Sequence, residues 1–266
     1  MLIRSWNVFH GNSDPPERRA FLEQMVRLAT GDGPDVVCLQ EVPLWALERL
    51  PGWSRMQAAV ERAAPARVGP LPSSAGLGRV LTEAHHGLIR SAFTGQGNAI
   101  LVAPRLRLLA RDRIVLNAKR YRDTCARELG LGALARLAWA RERRVCQAVR
   151  VGDQNGRTVV VANVHATSYP ADPRLAEAEV RRAAVFAEAV ARPGETLVLA
   201  GDYNVRAGSP ALAELAAWGF AGGGNGVDHL LARDAAAGVV HVWPDRRRRL
   251  DGRLLSDHAP LEVTIE

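Results

Sequence analysis

The stretch TLVLAGDYN, residues 196–204, joins a continuous apolar run to a polar end. A run of this kind is typical of a strand that is buried on both faces, as in the centre of an α/β sheet. Asp202 and Asn204 follow the run at the point where the strand should end. Polar residues at strand ends can meet on one edge of a sheet, where α/β proteins usually bind ligands. The stretch therefore predicts a sheet and a polar site at its edge.

Similar runs recur along the whole chain and alternate with helical patterns. Further β-branched runs occupy residues 2–8, 35–42, 97–103, 106–116, 143–151, 157–167, 227–232, 238–244 and 259–265. Helical periodicity, with cap-like residues at the start, covers 14–31, 172–194 and 209–219. Because no Pro- or Ser-rich linker divides these elements, we expect one α/β domain over 1–266. Helix-like sequence near 54–94 and 117–142 indicates two helical insertions.

Composition narrows the class of protein. The chain has 266 residues, of which 47% are hydrophobic and 24% are charged, which is ordinary for a globular protein. No apolar run reaches the length of about 18 residues that a transmembrane helix needs, and the first residues lack the apolar region of a secretory signal. Three cysteines without a CxxC pair argue against a disulfide framework or a zinc site. We expect a cytoplasmic protein, and no obligate protein partner is indicated.

Positive charge is concentrated in one part of the chain. The net charge is +7, and residues 105–150 hold thirteen Arg and Lys against four Asp and Glu. That segment thus carries an excess of nine positive charges, and the rest of the chain is slightly negative. Such a concentration favours binding of a polyanion, although a solvated basic helix face would give the same pattern.

Several predicted strands begin or end on residues that can bind a metal ion or a phosphate group. These residues are Asn7, Glu41, His165, Asp202, Asn204, Asp228, Asp257 and His258. Taken singly, an Asn at a strand end is more often a turn residue, and His165 alone is slightly better explained as a structural histidine. Their joint occurrence suits a hard cation and a phosphate, because Mg²⁺ prefers carboxylates and imidazoles can move protons. His10 follows the first strand and could approach this site, but nothing in the pattern requires it.

Seven short motifs, in order, resemble those of the endonuclease/exonuclease/phosphatase superfamily. This superfamily includes pancreatic-type DNase, abasic-site repair endonucleases, neutral sphingomyelinases and inositol-polyphosphate 5-phosphatases. The motifs are WNV (6–8), LQEV (39–42), GNAIL (97–101), NVHAT (163–167), GDYN (201–204), VDHLL (227–231) and SDHAPL (256–261). The resemblance extends over nearly the whole chain. It implies a four-layer α/β sandwich, in which two packed mixed β-sheets are flanked by helices.

The resemblance also implies a metal site. Glu41 looks like the principal metal carboxylate, and Asn7 and Asp257 would help to place the ion, directly or through water. Mg²⁺ or Mn²⁺ is the implied cofactor.

Catalytic roles follow from the same resemblance. Asp202 and Asn204 would orient the attacking water and hold a phosphate oxygen. His258 would lie against the phosphate, with Asp228 orienting its ring. His165 would donate to a phosphoryl or leaving oxygen. The implied reaction is in-line attack of water on phosphorus.

Two further residues are candidate substrate contacts. Arg144 could clamp a phosphate, or it could be a surface residue; Asn98 lies in the GNAIL motif. The sequence shows no clear glutamate partner for His165.

The leading interpretation of function is a metal-dependent phosphodiesterase, most simply an endo- or exonuclease on DNA or RNA. The basic segment 117–142 would then contact the phosphate backbone of the nucleic acid. The alternatives are a phosphatase or phospholipase on phosphoinositide, sphingomyelin-like or small phosphoester substrates, and a non-catalytic nucleic-acid-binding module.

Overall fold

The first of two large sheets is built from both ends of the chain. The computed structural model describes residues 1–17, 19–65, 67–68, 71–72, 95–235 and 238–266. In spatial order, the strands of the first sheet are β14 (His241–Val242), β17 (Leu261–Thr264), β1 (Leu2–Asn7), β3 (Val36–Pro43), β7 (Gln96–Val102) and β4 (Gln57–Ala64). β1 and β3 are parallel, and the other neighbours are antiparallel.

The second large sheet comes from the middle of the chain. Its strands, in spatial order, are β12 (Ala221–Asn225), β13 (Asp228–Arg233), β11 (Thr196–Asp202), β10 (Thr158–His165), β9 (Val145–Gly152) and β8 (Arg107–Val115). Only β10 and β11 are parallel among these six strands. A small three-stranded sheet contains, in spatial order, β15 (Arg249–Leu250), β16 (Arg253–Leu255) and β2 (Ser13–Asp14). A two-stranded sheet contains β5 (Arg67–Val68) and β6 (Leu71–Pro72).

Helices cover the outer faces of the two large sheets. The α-helices are α1 (Leu22–Thr30), α2 (Leu50–Ser54), α3 (Lys119–Glu128), α4 (Ala133–Arg141), α5 (Arg174–Val190) and α6 (Pro210–Ala217). Short 3₁₀ turns span Phe9–Gly11, Leu44–Arg49 and Asp245–Arg248. Across the described ranges, none of the helices is long and apolar enough to cross a membrane.

Three hydrophobic cores separate four layers. Met25 of α1 packs with Leu39 on the outer face of the first sheet, and Ile3 and Val161 belong to the core between the sheets. Val160 faces the helix α5 on the other side. Because neighbouring residues of β10 face two different cores, its whole apolar run is buried. The four-layer α/β sandwich, with two packed mixed sheets flanked by helices, is therefore confirmed.

The segment 54–94 differs from the predicted helical insertion. Residues Gln57–Ala64 form strand β4 at the edge of the first sheet and pair with β7, while 66, 69–70 and 73–94 lie outside the described residues. The alanine-rich sequence favours helix by local propensity, but cross-strand pairing and burial of Ala59 and Ala63 outweigh it. In contrast, 117–142 contains two helices, α3 and α4, between β8 and β9.

Candidate active site

Three polar residues form a row across the end of the second sheet. Strand pairing places His165, the last residue of β10, opposite Asp202, the last residue of β11. Asp202 in turn lies opposite Asp228, the first residue of β13. Adjacent strands are about 4.8 Å apart, so the three side chains are neighbours. The apolar strands behind them fix this register, because a slip of one residue would turn their buried faces outward.

Glu41 faces this row from the first sheet through a β-bulge. The pairing of β3 with β7 shifts register between Leu39 and Val42, and Glu41 has a φ of 55°. The left-handed region is uncommon for residues other than glycine. A bulge re-aims a side chain, and bulges are common beside active sites. Here the bulge turns the Glu41 carboxylate toward the gap between the sheets, where it meets His165 of the second sheet.

Gly201 brings β11 very close to β10 just before Asp202. Its φ is +141°, and a Cβ at this position would lie 2.0 Å from the carbonyl oxygen of Val164. Such a contact would force one of the two strand backbones to move, since no flexible side chain can give way. The glycine of the GDYN motif therefore positions Asp202 by allowing the strands to pack.

We expect Gly201→Ala to lower the free energy of unfolding by about 3 kcal/mol or more, because it combines backbone strain with a clash. Urea denaturation measures this change. Gly52→Ala is the matched control: a Cβ there meets no atom within 4 Å, and Ala inside a helix is favoured over Gly by about 1 kcal/mol. Equal stabilities of the Gly201 variant and the wild type would contradict the prediction.

The Glu41 carboxylate is held in its ionised form. His10 Nε2 lies 3.1 Å from Glu41 Oε2, and the Asn7 amide donates to Oε1 at 3.2 Å. Burial alone would raise the pKa of Glu41, but the hydrogen bond and charge of His10 outweigh it and lower the pKa. Glu41 is therefore a negative group available to a cation at neutral pH.

Asp202 has the opposite electrostatic behaviour. Asn7 Nδ2 donates to Asp202 Oδ2 at 2.9 Å, and the backbone N–H of Asn204 donates to Oδ1 at 3.0 Å. Burial and the charges of Asp228 and Glu41 raise the pKa of Asp202 to about 7. A carboxyl group with a pKa near neutrality can exchange protons with water at pH 7.

His258 and Asp228 form a close pair. His258 Nδ1 lies 2.7 Å from Asp228 Oδ2, and the His258 side chain is 19% exposed. Burial alone would lower the pKa of His258, but the hydrogen bond and charge of Asp228, together with Asp202 and Asp257, raise it to about 10. The ring is therefore an imidazolium at neutral pH. Its other nitrogen, Nε2, lies 3.8 Å from Asp257 Oδ1, too far for a hydrogen bond, and can donate to a phosphate oxygen.

The backbone that carries His258 is fixed by buried hydrogen bonds. Ser256 Oγ donates to the Asn7 carbonyl at 2.7 Å and accepts from the His258 N–H at 3.1 Å. The Trp6 indole donates to the His258 carbonyl at 2.9 Å. The buried Arg248 guanidinium donates to the carbonyls of Leu255, Ser256 and His258. The last strand and the first are thus tied together at the site.

Arg144 lies against His165 and is not at the surface, the alternative that the sequence left open. It is 7% exposed, and its Nη1 lies 2.8 Å from His165 Nε2 and 3.1 Å from Nδ1. Burial and the charge of Arg144 hold the pKa of His165 well below its usual value. The ring is therefore neutral at pH 7 and accepts one guanidinium N–H. Glu142 accepts from Arg144 Nη2 at 2.8 Å, so it indirectly steadies His165.

The remaining candidates are placed around this centre. The side chain of Asp257 is 44% exposed. Burial is the main cause that raises the pKa of Asp257, and the charge of Glu41 raises it further. Asn204 Nδ2 donates to the Ala166 carbonyl at 3.0 Å. Asn98 is buried and donates to the Val145 carbonyl of the facing sheet at 3.2 Å. A substrate contact for Asn98 therefore stays a prediction.

The donor set fits a divalent cation. Glu41, His165 and Asp202 each offer one ligand atom, and these atoms lie within 4.8 Å of one another. Two carboxylates brought together from different sheets suit a hard cation such as Mg²⁺, which prefers oxygen ligands. Asn7 meets Glu41 and Asp202 through its amide nitrogen, while its Oδ1 accepts from the Phe9 N–H. Because this oxygen has a second lone pair, a role of Asn7 in placing the ion stays a prediction.

Sequence reasoning left His10 and Glu142 without a role. The side chain of His10 is 3% exposed and contacts Glu41 because Phe9 and His10 both adopt left-handed backbone angles after β1. The signal available in the sequence was the glycine at 11, which allows a tight turn directly after a strand. For Glu142, the only signal was its spacing of two residues from Arg144 in a strand-like run.

The chain matches one family of known proteins over nearly its whole length. Residues 5–258 match the model of the Endonuclease/Exonuclease/phosphatase family. None of the curated protein sequences matches the chain.

Solved structures share the fold at low sequence identity. A conserved protein of unknown function from Enterococcus faecalis V583 has a TM-score of 0.69 and 15% identity, covering 100% of this chain and 99% of that one. Danio rerio TDP2, humanised by 14 mutations, has a TM-score of 0.63 and 16% identity, with coverages of 100% and 98%. The mannosyl-6-phosphatase Bt3783 of Bacteroides thetaiotaomicron has a TM-score of 0.61 and 13% identity, covering 100% of this chain and 99% of that one.

Identities this low establish the fold alone, whereas the family match spans nearly the whole length and confirms the resemblance seen in the sequence motifs. The matched range, 5–258, includes Glu41, the row of His165, Asp202 and Asp228, and His258. The chain therefore belongs to the endonuclease/exonuclease/phosphatase family, whose members are phosphoester hydrolases.

Proposed function

We propose that the protein is a divalent-metal-dependent phosphodiesterase that cleaves DNA or RNA, using Mg²⁺ or Mn²⁺. The observation that carries this proposal is the meeting of a carboxylate from one sheet, Glu41, with His165 and Asp202 of the other, beside the charged pair His258–Asp228. Such a site offers negative groups for a cation and a positive group for a phosphate.

The side chains divide the chemistry of hydrolysis between them. Asp202, with a pKa raised to about 7, would accept a proton from the attacking water. The His258 imidazolium would donate a hydrogen bond to a phosphoryl oxygen as negative charge gathers there, and Asp228 would keep the ring charged and oriented. The neutral His165 ring has one N–H, which would donate to the leaving oxygen. Glu41 would hold the divalent ion, which would supply positive charge next to the phosphoryl group.

Nucleic acid is the substrate class favoured by the charge of the chain. The segment 105–150 carries an excess of nine positive charges. It contains the helices α3 and α4, which directly precede Arg144. Clustered guanidinium groups are the usual footprint of a phosphate backbone. A phosphatase on small phosphoesters is the competing activity, since one of the similar structures is a mannosyl-6-phosphatase.

A substrate panel tests the proposal. Plasmid DNA, single-stranded DNA, RNA, a thymidine p-nitrophenyl phosphodiester and a sugar phosphate would be incubated with the protein in Mg²⁺, in Mn²⁺ and in EDTA. We expect cleavage of a nucleic acid and of the diester with either metal, and none in EDTA. Hydrolysis of the sugar phosphate alone would contradict the proposed nuclease activity and support a phosphatase activity instead. Turnover of a nucleic acid that is unchanged in EDTA would overturn the metal dependence.

A further inference from the structure

The helical hairpin α3–α4 contains an open cavity that lies outside the site described above. Its volume is about 240 Å³, and its lining includes Arg122, Arg127, Arg136 and the ring of Trp139. Trp139 is 1% exposed, so it forms the floor, and the three arginines surround the opening. Asp123 is the one acid in the lining. The cavity thus presents three positive groups over an aromatic surface.

Backbone carbonyls hold the three guanidinium groups in place. Arg122 donates to the Asn117 carbonyl at 2.9 Å, Arg127 to that of Asp123 at 3.1 Å, and Arg136 to that of Leu131 at 2.8 Å. These bonds use only some of the five N–H donors that each guanidinium carries. The remaining donors are available to an anion without a large loss of side-chain entropy.

Within the described parts of the chain, none of the three guanidinium groups pairs with a carboxylate. Asp123 is paired with Lys119 at 2.6 Å instead, and Lys119 is the first cause of the lowered pKa of Asp123. The charge of Asp123 also interacts with Arg122 and Arg127, so the three arginines exceed the one acid of the lining by two positive charges. Such an excess of oriented guanidinium groups favours a phosphate group, which accepts several N–H donors at once.

The cavity is connected to the candidate active site by two short chains of hydrogen bonds. Trp139 Nε1 donates to Glu179 at 2.6 Å, and Glu179 accepts from the N–H and hydroxyl of Thr167, two residues after His165. The Asn117 side chain donates to the Trp139 carbonyl and accepts from the Arg144 N–H. The hairpin is therefore anchored to the segments that carry His165 and Arg144.

The apolar surface of α4 points away from the cavity. Leu134 and Leu137 are 76% and 69% exposed. With 3.6 residues per turn, their mean direction is roughly 140° around the axis from that of Arg136, Trp139 and Ala140. The exposed leucines therefore take no part in the cavity. Three guanidinium groups that converge on one cavity suit a single phosphate group, and the proposed nuclease activity favours a strand of nucleic acid over an anionic lipid surface as its source.

We propose that Arg122, Arg127 and Arg136 form a second phosphate-binding subsite, which holds a backbone phosphate of the nucleic-acid strand several nucleotides from the scissile bond. The proposal rests on the proposed nuclease activity, because it states where the uncleaved part of the strand lies. It names a residue set that contacts the substrate but takes no part in the chemistry.

The test compares Arg122→Gln/Arg127→Gln/Arg136→Gln with a control, Arg107→Gln/Arg111→Gln/Arg192→Gln, which removes three exposed arginines on other parts of the second-sheet layer. Affinity for a fluorescent 12-nucleotide single strand would be measured in EDTA by anisotropy at several salt concentrations. We expect the cavity variant to bind at least 10-fold more weakly, with a log–log salt slope smaller by about 0.7 per lost phosphate contact. Thermal melting checks folding, and Arg127→Gln alone, at an exposed residue, should weaken binding about threefold.

Turnover of the thymidine p-nitrophenyl diester separates this proposal from the proposed function. If the cavity variant loses strand affinity but keeps diester turnover, the subsite is supported. If it loses strand affinity although no substrate is cleaved by the wild type, the subsite stands and the nuclease activity fails. Equal affinity losses in the cavity variant and the control would overturn the subsite. It would also be overturned if the wild type bound vesicles of anionic phospholipid and not the strand.

Discussion

Replacing Glu41 with Gln is expected to lower kcat for phosphoester hydrolysis by about 10³-fold or more, a loss of roughly 4 kcal/mol of transition-state stabilisation. The exchange keeps the size of the side chain and removes the negative charge of the carboxylate, which His10 keeps ionised in the wild type. Binding of Mg²⁺ should weaken with it, because a neutral amide is a poorer ligand for a hard cation. Steady-state kinetics and calorimetric titration with Mn²⁺ measure the two effects.

Folding of the Glu41 variant should survive, which makes the result interpretable. Glu41 contributes to raising the pKa of both Asp202 and Asp257, so the amide relieves repulsion between buried carboxylates. Glu61→Gln is the control, since Glu61 is a carboxylate of the same sheet whose partner is Arg113 at 2.7 Å. A Glu41 variant that keeps a tenth of the wild-type kcat at saturating metal would refute the assigned role.

The row of His165, Asp202 and Asp228 shows how far the sequence alone could lead. His165 and Asp202 follow apolar runs and Asp228 precedes one, so a strand with a polar residue at one end could be predicted for each. The order of these strands across the sheet could not be predicted, because β-pairing between distant segments depends on which faces pack together in three dimensions. The two registers that align the three side chains come only from the structure.

Local backbone geometry marks the second limit of sequence reasoning. Glu41, His10 and Asn204 all have left-handed backbone angles, although none is a glycine. Such conformations persist only where surrounding contacts over-determine them, so no local propensity reveals them. The sequence identified Glu41 and Asn204 through their motifs, whereas His10 lies in no strand or helix pattern that would direct it toward Glu41. The edge strand β4 was missed for a related reason, because its alanines favour helix until β7 pairs with them.

Replacing Asp228 with Asn is expected to make the loss of activity depend on pH. In the wild type the pKa of His258 is raised to about 10, so the ring stays charged from pH 5 to pH 9, a span of about four units. Without the Asp228 carboxylate the pKa should fall to about 6.5 or below, since burial opposes the charged ring. We expect kcat at pH 8 to fall by about 10²-fold, and the deficit to shrink toward pH 5, where the variant ring is protonated again.

The comparison with His258→Gln decides whether this deficit comes from charge on the ring. Glutamine can donate a hydrogen bond to a phosphate oxygen but carries no titrating charge. The charge of His258 lowers the pKa of Asp202, so its loss should raise that pKa, and the deficit of His258→Gln should not shrink from about pH 8 to pH 5. In the double variant the effect of Asp228→Asn should largely disappear, because the two residues act as one unit through the 2.7 Å contact. NMR titration of the His258 ring in wild type and Asp228→Asn measures the pKa directly. A ring pKa that is the same in both proteins, or a deficit equally large at pH 5 and pH 8, would show that Asp228 only shapes the fold at this position.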